Sequence, residues 1–145
     1  PVVVADKRKY YIETNRSHYN NAHHSEGLDV AEQIIAERYP EYSAAFTTVC
    51  NRTWAHMFNM FVMRRDLYNQ YCEWMFSILA ELEKRVDISG YDAYESRIYG
   101  FVSEILLDVW LEANRIEYKE QNVSFMEPQN WVKKGGLFLK RKFFK

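Results

Sequence analysis

Cysteine is scarce in this chain, and the two residues it has, Cys50 and Cys72, stand 22 apart with no metal-ligand spacing between them. Both fall in apolar surroundings on segments that read as helical. They are therefore expected to be reduced thiols of a cytosolic protein, not a disulfide framework. Long hydrophobic runs are missing too: no uncharged stretch reaches the ~18 residues of a membrane-spanning helix, and Pro1 to Asp6 does not form a signal peptide. The sequence has no Asp-X-Asp, no zinc signature, no internal repeat and no low-complexity tract. Net charge is also small, −1 over 145 residues.

That small total hides an asymmetry. Lys133 to Lys145 carries six Lys or Arg and no acid, which leaves 13 basic against 20 acidic side chains over residues 1–132. The chain divides accordingly into a body, 1–132, and a basic aromatic tail, 133–145, in which Leu137, Phe138, Leu139, Phe143 and Phe144 alternate with Lys140, Arg141, Lys142 and Lys145. An acidic body opposes approach to phosphate, so nucleic acid is not the expected partner. The tail suits either a membrane surface, with Phe and Leu among the headgroups and Lys and Arg on anionic lipid, or a return onto the acidic body. A chain that opens without Met inside an apolar run, Val2-Val3-Val4, is expected to continue something upstream.

With 145 residues the chain can bury a substantial core as one domain or a large piece of one. Val2 to Ala5 reads as a strand and Tyr10 to Thr14 as a second extended run. Asn15 to Gly27 is polar and reads as a long loop holding His18, His23 and His24. Helices are expected over about 28–39, 41–51, 66–86 and 93–114 from apolar spacing; Tyr39-Pro40 and Asp87-Ile88-Ser89-Gly90-Tyr91 act as breakers. Gly100, inside the last helix, suggests a kink or a close neighbour. Short extended pieces follow at 116–119 and 123–126.

The stretch Arg52 to Asp66 is the pivot. Its centre, His56-Met57-Phe58-Asn59-Met60-Phe61-Val62-Met63, is uncharged and aromatic, and reads as a buried strand. His56 and Asn59 within it must find partners, because burying them bare would cost roughly 1–3 kcal/mol each. They are either a satisfied core pair or groups lining a cleft. Glu104 poses a similar choice in its apolar helix. It either sits at the solvent edge, paired with Arg97 seven residues before it on the same face, or faces a cleft as a general base tuned by burial and that arginine. In the histidine loop, His18, His23, His24 and Glu26 are ligand types within nine residues, but the spacing matches no zinc site, which leaves a polar, substrate-facing or solvated loop.

Several ordered motifs carry a resemblance that runs almost end to end: Tyr10-Tyr11-Ile12-Glu13-Thr14, Ser17-His18-Tyr19, Glu37-Arg38-Tyr39-Pro40-Glu41-Tyr42, His56 to Met63, Tyr71-Cys72-Glu73-Trp74, Glu81-Leu82-Glu83, Asp87-Ile88-Ser89 and Arg97-Ile98-Tyr99-Gly100-Phe101-Val102-Ser103-Glu104. Together they resemble a bacterial family of capsular and exopolysaccharide gene clusters whose members are described as glycosyltransferases.

The resemblance implies an α/β, helix-rich, GT-A-like fold, a Rossmann-related sheet with flanking helices, of which this chain is the C-terminal part. The implied partners are a nucleotide-sugar donor and a glycan or lipid-linked acceptor at the cytoplasmic face of the membrane. A divalent metal, Mg or Mn, accompanies such donors where an Asp-X-Asp exists; this chain has none. The family pattern continues with Arg where Ile105 stands. Carried over by position, 56–63 lines the acceptor side with His56 and Asn59, Glu104 is the base, and Arg97, His18 and His23 contact substrate. The alternative is a non-catalytic module of the same fold that binds glycan or protein.

Overall fold

A computed structural model describes residues 2–124 and 126. Ten elements follow in order: β1 (Val2–Ala5), β2 (Arg8–Lys9), α1 (Asn15–Ala22), α2 (Glu26–Arg38), α3 (Ser43–Asn51), β3 (Trp54–Ala55), β4 (Phe61–Val62), α4 (Arg65–Arg85), α5 (Ile98–Ala113) and β5 (Tyr118–Gln121). The architecture is α/β and helix-rich, with a small sheet flanked by helices. In the three-stranded sheet β1 is central, antiparallel to β4 with Val3 opposite Val62, and parallel to β5 with Val3 opposite Lys119. A separate two-stranded ribbon pairs β2 with β3, Arg8 opposite Ala55. The tail 133–145 lies outside the described residues, and in the second extended piece, 123–126, the described residues Val123, Ser124 and Met126 belong to no strand.

The core is the interior of four helices. Tyr71, Phe46, Leu28, Ile34, Ile35, Ile78, Leu82, Leu106 and Leu107 are fully buried, and α5 is enclosed without a break from Ile105 to Leu111. Removing such side chains from water stabilises the fold by about 1.5–3 kcal/mol each, which is why the expected helices are found close to where their apolar spacing puts them. Tyr39 ends α2, and Pro40 opens a short 3-10 turn before α3, as a proline with no N–H to donate can do at a first turn. Cys50 and Cys72 are both free thiols, and burial pushes the Cys50 thiol up to about 11. Among the described residues no helix is long and apolar enough to cross a membrane.

Several sequence expectations are corrected. Asn15 to Ala22 is a helix, not a loop: Thr14 and Ser17 form a capping box, and the buried Asn15 amide donates to the carbonyls of Val49 and Trp54, each at 2.8 Å. Tertiary bonds thus hold a segment whose apolar spacing is weak. The run 10–14 is not a strand; pairing stops after Tyr10, whose N–H reaches the Thr53 carbonyl, and Tyr11 is 91% exposed.

The stretch from 52 to 63 is not one buried strand either. It is split between two sheets, β3 in the ribbon and β4 at the edge of the other, with a turn at Phe58 and Asn59 between them. Val62, at 71% exposure, faces outward. Within the last helix Gly100 causes no break, and nothing lies within 4 Å of where its Cβ would be. That helix begins at Ile98, after a 3-10 turn over Glu95–Arg97.

Candidate functional site

Arg97, Phe101, Glu104 and Asp108 recur at the three- and four-residue intervals that place side chains on one face of a helix. Along α5 this stripe runs from the exposed start of the helix to its buried middle. Glu104 is half-buried on it. Burial raises its carboxyl pKa above the usual range; the Phe58 backbone and the charges of Arg97 and Arg8 act in the opposite sense without cancelling the rise. Arg97 is exposed and sits 5.4 Å over the Phe101 ring.

Two histidines flank this acid on aromatic faces. His23 stacks on Phe101 with ring centres 3.8 Å apart, and its Nδ1 lies 3.9 Å from Glu95. His18 stacks on Tyr10 at 4.0 Å, and its Nδ1 is 2.9 Å from the buried carboxylate of Glu13, whose other oxygen accepts from Asn21. Tyr10 links this pair to Glu104: burial, Glu104 and Glu13 together push its hydroxyl up to about 12, against the opposing charge of Arg8, 5.4 Å from the ring. His24 lies apart, stacked on Tyr91. Among the described residues no three His, Cys, Asp or Glu come together in a way that could hold a metal ion.

His56 lies below this surface. It is fully enclosed; its backbone N–H donates to Asp108 Oδ2 at 2.8 Å and its Nδ1 meets Asp108 Oδ1 at 2.5 Å. Its Nε2 is 3.4 Å from Glu120, which in turn pairs with Lys7 at 2.7 Å. Burial disfavours the imidazolium, but Asp108 and Glu120 outweigh it and raise the pKa above 6.5. Of the two settings the sequence leaves open for His56, the structure has the satisfied core group, so direct contact with an acceptor is not what this arrangement offers. Asn59 is exposed on the turn, and its amide donates to Ser103 Oγ at 2.9 Å and to the Gly100 carbonyl at 3.3 Å.

Glu104, Arg97, His18 and His23 are thus gathered along one flank, Asn59 stands at its edge, and His56 lies beneath. Asp108, Tyr10 and Phe101 complete the arrangement and escape sequence reasoning. The available signal for Asp108 was an acid one turn after Glu104 inside an otherwise apolar run. Two clefts are found among the described residues, and neither is lined by Glu104, Arg97, His18 or His23. One, about 340 Å³, lies between α4 and α5 and is lined by Phe61, Tyr68, Phe76, Tyr99, Asn59 and Ser103 among others. The other, about 170 Å³, opens over Asp108 between Arg52, Arg115 and Tyr118. A half-buried carboxyl of raised pKa beside two arginines, stacked rings and histidines can accept a proton from a hydroxyl bound over the rings.

Comparison with known proteins adds a family and a fold relative. The chain is 30% identical to the bifunctional glycosyltransferase WbbM and superimposes on its apo structure with a TM-score of 0.78, over 82% of this chain and 22% of that one. It therefore spans about a fifth of the relative's length. No curated protein matches it. The family model that matches, over residues 1–115, is described as a domain of unknown function, DUF4422. The match takes in most of the chain, including every residue of the flank, and the protein belongs to the DUF4422 family.

Proposed function

We propose that this protein is the acid-bearing part of a glycosyltransferase of surface-polysaccharide synthesis, moving a sugar from a nucleotide-activated donor to a glycan or lipid-linked acceptor. The supporting observation is the shared fold and sequence with a bifunctional glycosyltransferase along most of this chain; fold alone would carry no activity. In this reading Glu104 is the general base. It takes the proton of an acceptor hydroxyl as that oxygen bonds to the donor's anomeric carbon and the nucleoside diphosphate departs with the electron pair of the broken bond. Arg97, His18, His23 and Asn59 bind the substrates, and the stacked rings of Tyr10 and Phe101 give sugar faces an apolar floor. His56 and Asp108 support this surface from below.

Glu104→Gln tests it. The amide keeps the shape and cannot accept the proton, so sugar transfer from UDP- or GDP-activated donors should fall by about 10²–10⁴-fold with the circular dichroism spectrum and melting midpoint retained. Undiminished transfer in a folded variant rules out Glu104 as the base. Thermal shift separates an enzyme from a binding module of the same fold: UDP or GDP raises the melting midpoint of the first, oligosaccharide alone that of the second.

A further inference from the structure

Along α4 the buried stripe of Tyr71, Met75 and Ile78 has a second apolar stripe beside it, Tyr68, Cys72 and Phe76, spaced four residues apart. This second stripe does not enter the core: Phe76 is 59% and Tyr68 47% exposed. It forms instead one wall of the cleft of about 340 Å³, opposite Phe61 of β4 and Tyr99, Gly100 and Ser103 of α5. None of the residues lining this cleft is an acid, a base or a histidine. A nucleoside diphosphate would find no cation there for its phosphates, so the cleft does not suit an activated donor.

Its polar groups are few and complementary. Tyr71 lines the cleft and is fully enclosed, and its hydroxyl has no hydrogen-bond partner among the described residues. A buried hydroxyl left unpaired carries a desolvation cost that a bound group can relieve. Tyr10 and Tyr19 also bury unpaired hydroxyls, but neither lines a cleft described above. Toward α5, the Asn59 amide gives its protons to Ser103 Oγ at 2.9 Å and to the Gly100 carbonyl at 3.3 Å, so what it offers a ligand is the acceptor Oδ1. Ser103 Oγ gives its own proton to the Gly100 carbonyl at 2.8 Å and is likewise left as an acceptor. The cleft thus combines a donor at Tyr71 and acceptors at Asn59 and Ser103 with the aromatic surface of Tyr68, Phe76 and Tyr99. A hydrocarbon chain would match the rings and leave the Tyr71 hydroxyl unpaired. A sugar meets both demands, because its C–H faces pack on aromatic rings and its hydroxyls donate as well as accept.

We propose that this cleft binds an uncharged pyranose, and that in a glycosyltransferase it holds a unit of the acceptor glycan apart from Glu104, which does not line it. The acceptor role rests on the function proposed above; the binding of a neutral sugar does not.

Saturation-transfer NMR on the full chain tests this, with the methyl glycosides of glucose, galactose and mannose as probes. At least one should receive saturation from the protein's aromatic protons and keep it in the presence of excess UDP. Tyr71→Phe should weaken that glycoside about 3–10-fold. The melting midpoint of the free protein should not fall, since the hydroxyl gives up no bond there; a purely structural hydroxyl would lower it. Phe76→Ala, at an exposed position, should weaken the glycoside about tenfold and keeps the test open should Tyr71→Phe not fold. Saturation of none of the three glycosides, or undiminished affinity in folded Tyr71→Phe and Phe76→Ala, overturns the proposal. Tighter binding of geraniol than of any glycoside overturns it in favour of a lipid chain. The measurement reads binding alone, so its failure leaves the transfer test on Glu104 standing, and failure of that test leaves this one standing.

Discussion

Along α4 the side chains that hold the fold are apolar and repeat, whereas along the seam between α5 and the segment from His56 to Asn59 they are polar and held by individual hydrogen bonds to residues distant in the chain. Tyr71, Trp74, Met75, Ile78 and Leu82 in α4 can be exchanged for residues of similar volume at modest cost, because the interaction is non-directional. Asp108 has no such substitute. It sits 52 residues from His56 and satisfies two of its donors, at a depth where an unpartnered polar group is costly. The difference teaches where this chain keeps its options: packing in the helices is redundant, and the seam beside Glu104 is specified one bond at a time.

The strongest way to break that contrast is to cut both regions to alanine. Ile78→Ala should cost about 2–5 kcal/mol through lost burial and a residual cavity. Asp108→Ala should cost about 3–5 kcal/mol, because it strands the His56 imidazole and N–H beside Glu120 without their principal partner. Denaturant unfolding measures both. The separating feature is pH: the Ile78 loss is the same at pH 5.5 and 8.5, and the Asp108 loss is not.

The next effect sharpens that distinction. The folded pKa of His56 is raised above its unfolded value of 6.5 by Asp108 and Glu120. Its charged form is therefore favoured by folding, and the stability it contributes is fully present below about pH 6.5 and lost as pH rises through the raised folded value. His56→Gln, which has no such proton to lose, should be less stable than the native protein at pH 5.5, and the gap should narrow toward alkaline pH by about 1.4 kcal/mol per unit of pKa elevation. A gap that stays constant across this range would mean that the imidazole titrates alike in the folded and unfolded chain and that the seam is as insensitive to pH as the helices.

The same contrast explains what could be read without coordinates. Helices α2 to α5 are legible because Leu28, Ala31 and Ile35, or Tyr71, Met75 and Ile78, repeat at helical spacing, and repetition is a local property. Glu104, Arg97, His18 and His23 are legible as chemistry because charge and imidazole stand out against apolar or aromatic neighbours. The seam is not legible in that way. Helix α1 depends on a capping box and on Asn15 reaching carbonyls 34 and 39 residues away. The split of 52–63 depends on positive φ at Phe58, which an aromatic run of this kind does not announce. Asp108 reads as an interruption in a greasy helix until the fold brings His56 to it.

The smallest effects come from two glycines and probe packing where each region ends. Gly27, in α2, faces Ile98 at the start of α5: an added Cβ would fall 2.6 Å from Ile98 Cδ1 and 2.8 Å from the Tyr19 hydroxyl. Gly27→Ala must therefore displace side chains, and should cost about 1 kcal/mol or somewhat more. Gly100, two residues into α5, has nothing within 4 Å of that position and φ in the ordinary range, so alanine there meets no obstacle. Gly100→Ala should add about 0.5–1 kcal/mol by restricting the unfolded chain and favouring the helix, while its carbonyl continues to accept from Asn59 and Ser103. Thermal melts of the two variants should shift in opposite directions. A fall in both would place a hidden steric demand on the exposed start of α5, beside the arginine and carboxylate of the seam, and the redundancy assigned to the helices would stop short of that end.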